Sequence, residues 1–206
     1  MNDIVLHSYR RCPFAIRVRM CLEEKELKYT IKEEKLSALS AELLHLHPEG
    51  KVPLMIHGPN VIYESSIITE YLDEAFPSVR LMPEGPALRA QVRLQTYVCN
   101  TIYKPDLDSY KYGWDDLSGS DRNSLLSRLK NYLESLDRSI ERWKYLVCDT
   151  LTLADIHVFP FYRQLQRTQK AVLDLSPYTS LNEWSGQMSL KPSFVRAMTV
   201  GHSAVE

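Results

Sequence analysis

The stretch Ile4-Val5-Leu6-His7-Ser8-Tyr9-Arg10-Arg11-Cys12-Pro13-Phe14-Ala15 decides the fold. Ile4 to Ser8 reads as a short buried strand. Pro13 suits the first position of a helix, where a missing N–H is no loss. Phe14, Val18, Cys21 and Leu22 follow at helical spacing and give one apolar face as far as about Glu24. Tyr29, Ile31 and Lys32 then suggest a second strand, so the opening is a βαβ unit with parallel pairing.

Outward from that unit, residues 38–46 suggest a short helix and Pro48-Glu49-Gly50 a turn. Two short strands follow over 52–56 and 61–63. They are separated by His57-Gly58-Pro59-Asn60, a strong turn signal, and imply an antiparallel edge. Residues 65–75 read as a helix stopped near Pro77. Residues 1–77 therefore read as an α/β domain of order βαβαββα, and the proline-rich segment 78–88 as a linker. The remainder, 89–206, reads as an all-helical domain, with helices over 87–104, 121–144, 153–169 and about 180–189. Pro160 falls inside the third of these and predicts a kink. Thr152-Leu153-Ala154-Asp155 has the form of a capping box, a folding signal without chemistry of its own.

Composition sets broad limits. The 206 residues are 44% hydrophobic and 25% charged, as in an ordinary globular chain of one or two domains. A net charge of −1 gives no global attraction to nucleic acid or to an anionic membrane. No apolar run reaches the roughly 18 residues of a membrane span, and the N-terminus lacks a basic region followed by a long apolar stretch. The four cysteines, at 12, 21, 99 and 148, form no CxxC pair and no zinc-type cluster, so no metal is expected. Free thiols in a reducing compartment fit this pattern, and a cytoplasmic location is the expectation. Cys21, Cys99 and Cys148 sit among apolar residues and read as inert.

Cys12 is different. At a helix start, unpaired N–H groups and the positive end of the helix dipole favour an anion. Cysteines so placed have pKa values of about 3.5–7.5. Arg10, Arg11 and Arg17 add nearby positive charge. On position alone, a thiol that merely caps the helix is an equal reading. Position 15 is alanine, so the helix has no resolving thiol, and a mixed disulfide on Cys12 needs an external thiol such as glutathione. Val52-Pro53 is a second constellation. A proline entering a strand fits either a cis bond, with an exposed Val52 edge that can pair with an extended peptide, or a trans edge-strand proline. In Glu64-Ser65 the serine at a helix start can receive a carboxylate, and the glutamate an ammonium. Together they suit the γ-glutamyl end of glutathione. Finally, Tyr97, Tyr103 and Trp114, with Tyr110, Tyr112 and Trp143, suit either a semi-open pocket wall or ordinary helix packing.

Taken together, these residues resemble the glutathione transferase superfamily, and within it the omega class and bacterial cysteine-type enzymes. The resemblance rests on Cys12-Pro13-Phe14-Ala15 with Arg17 and Arg19, on His47-Pro48-Glu49-Gly50-Lys51-Val52-Pro53, on Tyr63-Glu64-Ser65-Ser66-Ile67 and on Leu151-Thr152-Leu153-Ala154-Asp155. It implies a thioredoxin-like N-terminal domain and a helical bundle that contributes the pocket for an electrophile. It also implies a cis Pro53, glutathione binding by Phe14, Val52, Pro53, Glu64 and Ser65, a nucleophilic Cys12, and a homodimer. The omega-type lysine for the glycyl carboxylate is matched by Leu39, with Lys35 or Lys51 as substitutes, and the usual asparagine before Pro48 is His47.

The function expected is that of a monothiol thiol transferase or reductase, with glutathione as co-substrate and a small disulfide, electrophilic or dehydroascorbate-type partner. Two alternatives stand beside it. One is conjugation of glutathione through Tyr9, which with Tyr97, Tyr103 and Trp114 forms the expected second-substrate pocket. The other is a non-enzymatic binding or regulatory role on the same fold.

Overall fold

The computed structural model describes residues 3–168, 170 and 172–199. The chain divides into two compact units, one taking the residues up to Leu81 and those from Ser189 on, the other Met82–Met188.

In the first unit, β1 (Ile4–Ser8), α1 (Pro13–Glu24), β2 (Tyr29–Glu33), α2 (Ala41–Leu46), β3 (Leu54–His57), β4 (Asn60–Tyr63) and α3 (Ser65–Ala75) give the expected βαβαββα order. The sheet order is β2-β1-β3-β4. β1 pairs parallel with β2, Ile4 opposite Tyr29, and antiparallel with β3, Leu6 opposite Met55. β3 and β4 close a hairpin with His57 opposite Asn60. Gly58 takes a φ of +57° in that turn, where a side chain would strain the backbone. Leu6, Leu54 and Met55 are fully buried at the sheet centre, and β4 is the exposed edge.

Two boundaries shift for local reasons. α2 begins at Ala41 instead of 38, because the Ser40 hydroxyl accepts from the Leu43 N–H at 3.2 Å and caps the helix. β3 begins at Leu54 instead of 52, after the cis Val52–Pro53 bond and a proline with no N–H for the ladder.

The first unit also takes residues that the sequence pattern places elsewhere. Lys25, buried, pairs with Asp73 at 3.1 Å and donates to the Val79 carbonyl, while the Leu81 N–H donates to Asp73 at 2.7 Å. These bonds hold the segment up to Leu81, expected to be linker, on the first unit. The C-terminal helix α9 (Pro192–Ala197) packs on α1 instead of belonging to the helical domain. Arg196 Nε pairs with Glu23 and Ser193 Oγ donates to Glu24, each at 2.5 Å.

The second unit is helical among the described residues: α4 (Pro86–Val98), α5 (Lys104–Tyr112), α6 (Gly119–Arg142), α7 (Leu153–Gln166) and α8 (Thr179–Leu190). The helix expected over 87–104 instead passes through a π-turned segment, Cys99–Tyr103, and continues as α5. Pro105 is the reason for the wider turn: it has no N–H to donate, and its ring crowds the preceding turn. The helix expected to run to Gln169 ends at Gln166, and Gln169 lies outside the described residues. At the start of α7 the Asp155 carboxylate is fully buried. It accepts from the Thr152 N–H and hydroxyl, both at 2.9 Å, from the Leu146 N–H at 2.9 Å and from Trp184 Nε1 at 3.3 Å.

Candidate active site

Cys12 is the residue immediately before α1, in extended conformation, with Pro13 as the first helical residue. Its own N–H donates to the Tyr9 carbonyl at 2.9 Å, closing the turn out of β1. The half-buried thiol lies 3.8 Å from the Val52 carbonyl, to which it donates. Thus the fold brings the end of β1 against the residue that precedes cis Pro53.

Beside them lies a cleft of about 230 Å³ lined by Phe14, His47, Lys51, Val52, Pro53, Glu64 and Ser65. Glu64 has a φ of +66° and ends the turn into α3, so Ser65 is the first helical residue and not the cap. The buried Ser65 hydroxyl accepts from Arg17 Nη1 at 3.2 Å. It therefore keeps its own hydrogen for a ligand carboxylate. Arg17 also stands over the Phe14 ring, 5.1 Å from its centroid. At the other end Lys51 pairs with Glu49. His47 is buried, packs on Tyr63 with ring centroids 4.7 Å apart, and its Nδ1 accepts the Glu49 N–H at 3.0 Å. With Nδ1 accepting, the ring hydrogen belongs on Nε2. By sequence His47 is only a departure from a pattern. Its place in the cleft wall follows from the turn at Pro48-Glu49-Gly50, where Gly50 takes a φ of +58°.

The electrostatics of Cys12 correct an expectation. Burial is the largest influence and pushes the thiol above its ordinary value. The N–H groups of Ala15 and Phe14, then Arg19 and Arg17, pull it back without overcoming that push. The helix start acts as expected, but desolvation outweighs it. The arginines that matter also differ. Arg10 and Arg11 are exposed, and Arg11 turns to the Tyr9 hydroxyl at 3.1 Å, whereas Arg17 and Arg19 are buried in α1.

Two of the aromatic rings expected in a pocket wall pack within the helical unit. Tyr103 is fully buried and stacked on Tyr132 at 4.4 Å, and Trp114 is buried with its ring edge-on to Tyr110 at 5.3 Å and Arg122 above it. Tyr97 is 61% exposed. Helix packing claims the first two rings, because a large flat side chain buries most area between helices. Tyr9 is absent from the cleft lining, and its hydroxyl accepts from Arg11, which leaves its own hydrogen to donate. Cys21 and Cys99 are buried as expected, but Cys148 is half-buried in the loop after α6, its thiol 3.6 Å from the Thr150 carbonyl. No cluster of three or more metal-ligating side chains occurs among the described residues, and none of the described helices is long and apolar enough to cross a membrane.

Comparison with known proteins agrees with this geometry. Residues 6–84 match the family model "Glutathione S-transferase, N-terminal domain" and residues 107–192 match "Glutathione S-transferase, C-terminal domain". A probable glutathione S-transferase of Nicotiana plumbaginifolia is 31% identical over 163 residues, covering 78% of this chain and 72% of that one. A probable maleylacetoacetate isomerase of Caenorhabditis elegans is 30% identical over 199 residues, covering 94% and 92%. The solved tau class glutathione S-transferase of mango superposes with a TM-score of 0.84 at 23% identity, over 96% of this chain and 93% of that one, a likeness of fold. Two matched domain models that together span most of the chain, with a curated relative 31% identical over 72% of its own length, show that this protein belongs to the glutathione S-transferase family and is a glutathione transferase.

Proposed function

We propose that this glutathione transferase is a monothiol thiol transferase, omega-like in its chemistry, with Cys12 as nucleophile. The observation that carries the reading is the Cys12 thiol 3.8 Å from the Val52 carbonyl, beside the cleft, with alanine at position 15. Glutathione would lie with its γ-glutamyl group on Glu64 and Ser65, its cysteinyl main chain on Val52 and its glycyl end toward Lys51. Phe14 and Pro53 would supply apolar contact.

In the first step the Cys12 thiolate attacks the glutathionyl sulfur of a mixed disulfide. The Cys12–glutathione bond forms, the substrate sulfur leaves as a thiolate, and that thiolate takes a proton from water. In the second step the thiolate of another glutathione attacks the glutathionyl sulfur on Cys12. Oxidised glutathione leaves and the Cys12 thiolate returns, its charge facing the N–H groups of Phe14 and Ala15. A dehydroascorbate-type substrate fits the same two-electron stoichiometry. Conjugation through Tyr9 has less support, since Tyr9 stands outside the cleft lining. A homodimer in the cytoplasm, with two domains divided near Leu81, completes the proposal.

The test compares Cys12→Ala and Tyr9→Phe in reduction of the mixed disulfide of glutathione and 2-mercaptoethanol. Cys12→Ala should lose at least about a hundredfold in turnover, as removal of a covalent nucleophile does, and Tyr9→Phe should retain it. Full activity in Cys12→Ala would sink the assignment.

A further inference from the structure

Arg10 lies in the turn between β1 and Cys12, and both of its main-chain polar groups are held by distant residues. Its N–H donates to Glu33 Oε1 at 2.6 Å, from the end of β2. Its carbonyl accepts from Arg19 Nη2, two turns along α1 from Cys12. Arg19 is 1% exposed, and its Nε is buried with no hydrogen-bond partner in the structure. A guanidinium so buried is costly unless its site uses the charge or the fork. Glu33 is the leading opposite charge acting on Arg19. The same turn is closed by the Cys12 N–H on the Tyr9 carbonyl.

We infer that Arg19 and Glu33 are positioning residues for Cys12, clamping Arg10 from both sides so that the turn presents the thiol to Val52 and the cleft. The inference rests on the thiol-transferase reading and adds two residues outside the cleft lining. Neither touches the reacting sulfur through a hydrogen bond. Their action is exerted through the Arg10 main chain and, for Arg19, through its charge. The charged groups acting on Cys12 are Arg19 and Arg17, both from α1. Glu33 and the Arg10 N–H that it accepts are exposed, so the loss of Glu33 leaves that N–H to water and removes its charge from Arg19.

The test uses the full chain with Arg19→Gln, Arg19→Lys and Glu33→Ala. Folding is checked by circular dichroism and urea midpoint. Two readouts follow: the pH profile of Cys12 alkylation by iodoacetamide, read by mass on the Cys12 peptide, and kcat with the glutathione–mercaptoethanol disulfide. Arg19→Gln should move the alkylation profile to higher pH and slow alkylation at pH 7.5 by about three- to tenfold, as loss of a neighbouring cation does. Arg19→Lys keeps the charge and should keep the profile, while kcat falls because the shorter ammonium loses the Nη2 bond to the Arg10 carbonyl. Glu33→Ala should lower kcat without moving the profile upward, since it removes an anion. The clamp is refuted if Arg19→Gln and Glu33→Ala lower only the urea midpoint and leave profile and kcat in place. Should Arg19→Gln fail to fold, Arg19→Lys and Glu33→Ala decide the matter by kcat. Failure of the thiol-transferase reading shows separately, as turnover retained in Cys12→Ala, while the alkylation profiles still report on Arg19.

Discussion

The pH dependence of Cys12 alkylation separates two physical pictures of the site. If the helix start governed the thiol, its pKa would fall to about 6, within the range of activated cysteines. Alkylation would then rise only about twofold between pH 6 and pH 8, because half the thiol is ionised at the start. In this structure burial dominates and pushes the thiol above its ordinary value. A raised pKa means that the folded protein holds the proton more tightly, so thiolate is the minor species throughout that interval. Its fraction then climbs about tenfold per pH unit, and alkylation should increase about a hundredfold from pH 6 to pH 8. The assay is pseudo-first-order labelling by iodoacetamide in a Cys21→Ala, Cys99→Ala, Cys148→Ala background, or peptide mapping of the unmodified chain. The two pictures differ by a factor of about fifty. A plateau below pH 8, or a rise of less than about fivefold, refutes the dominance of burial.

Two further predictions concern the second unit. Asp155→Ala leaves the Leu146 N–H, the Thr152 N–H and hydroxyl and Trp184 Nε1 without their acceptor. It should cost about 3 kcal/mol at pH 7 in urea unfolding, each orphaned buried donor being worth about 1–3 kcal/mol and removal of a desolvated carboxylate offsetting part. Because burial lifts Asp155 to about 6, above its ordinary 3.8, its contribution is largest in acid and is lost as pH rises through 6. The penalty should therefore grow by about 1 kcal/mol from pH 7 to pH 5, and a penalty that shrinks on acidification contradicts the shift. Tyr103→Phe removes a buried hydroxyl that has no hydrogen-bond partner in the structure. It should be neutral or stabilising by about 1 kcal/mol, with kcat unchanged; a large loss of turnover would restore Tyr103 to a substrate pocket.

Much of this protein is legible locally. Pro13 after Cys12, the short buried run of β1, the turn at His57-Gly58-Pro59-Asn60 and the capping pair Thr152 and Asp155 each act through neighbours a few residues away. Such signals survive in a one-dimensional reading, and with them come the βαβαββα order and the placement of Cys12 at a helix start. Alanine at position 15 belongs with them, since residue identity alone removes an internal resolving thiol one turn along the helix.

What the tertiary structure decided is how those pieces are solvated and against what they lie. Tyr103 and Trp114 carry the same side chains whether they line a pocket or fill a core, and only packing assigned them to the core. Residues 192–197 carry no helix in the sequence reading and fall within the span expected to be the helical domain, but Arg196 pairs with Glu23 and places them on the first unit. Cys12 is the clearest case. Its helix start, Pro13 and alanine at position 15 were written in the sequence. The direction of its proton affinity was not, because desolvation sums over every atom that displaces water around the sulfur, and those atoms come from residues 40 positions away as readily as from the next turn.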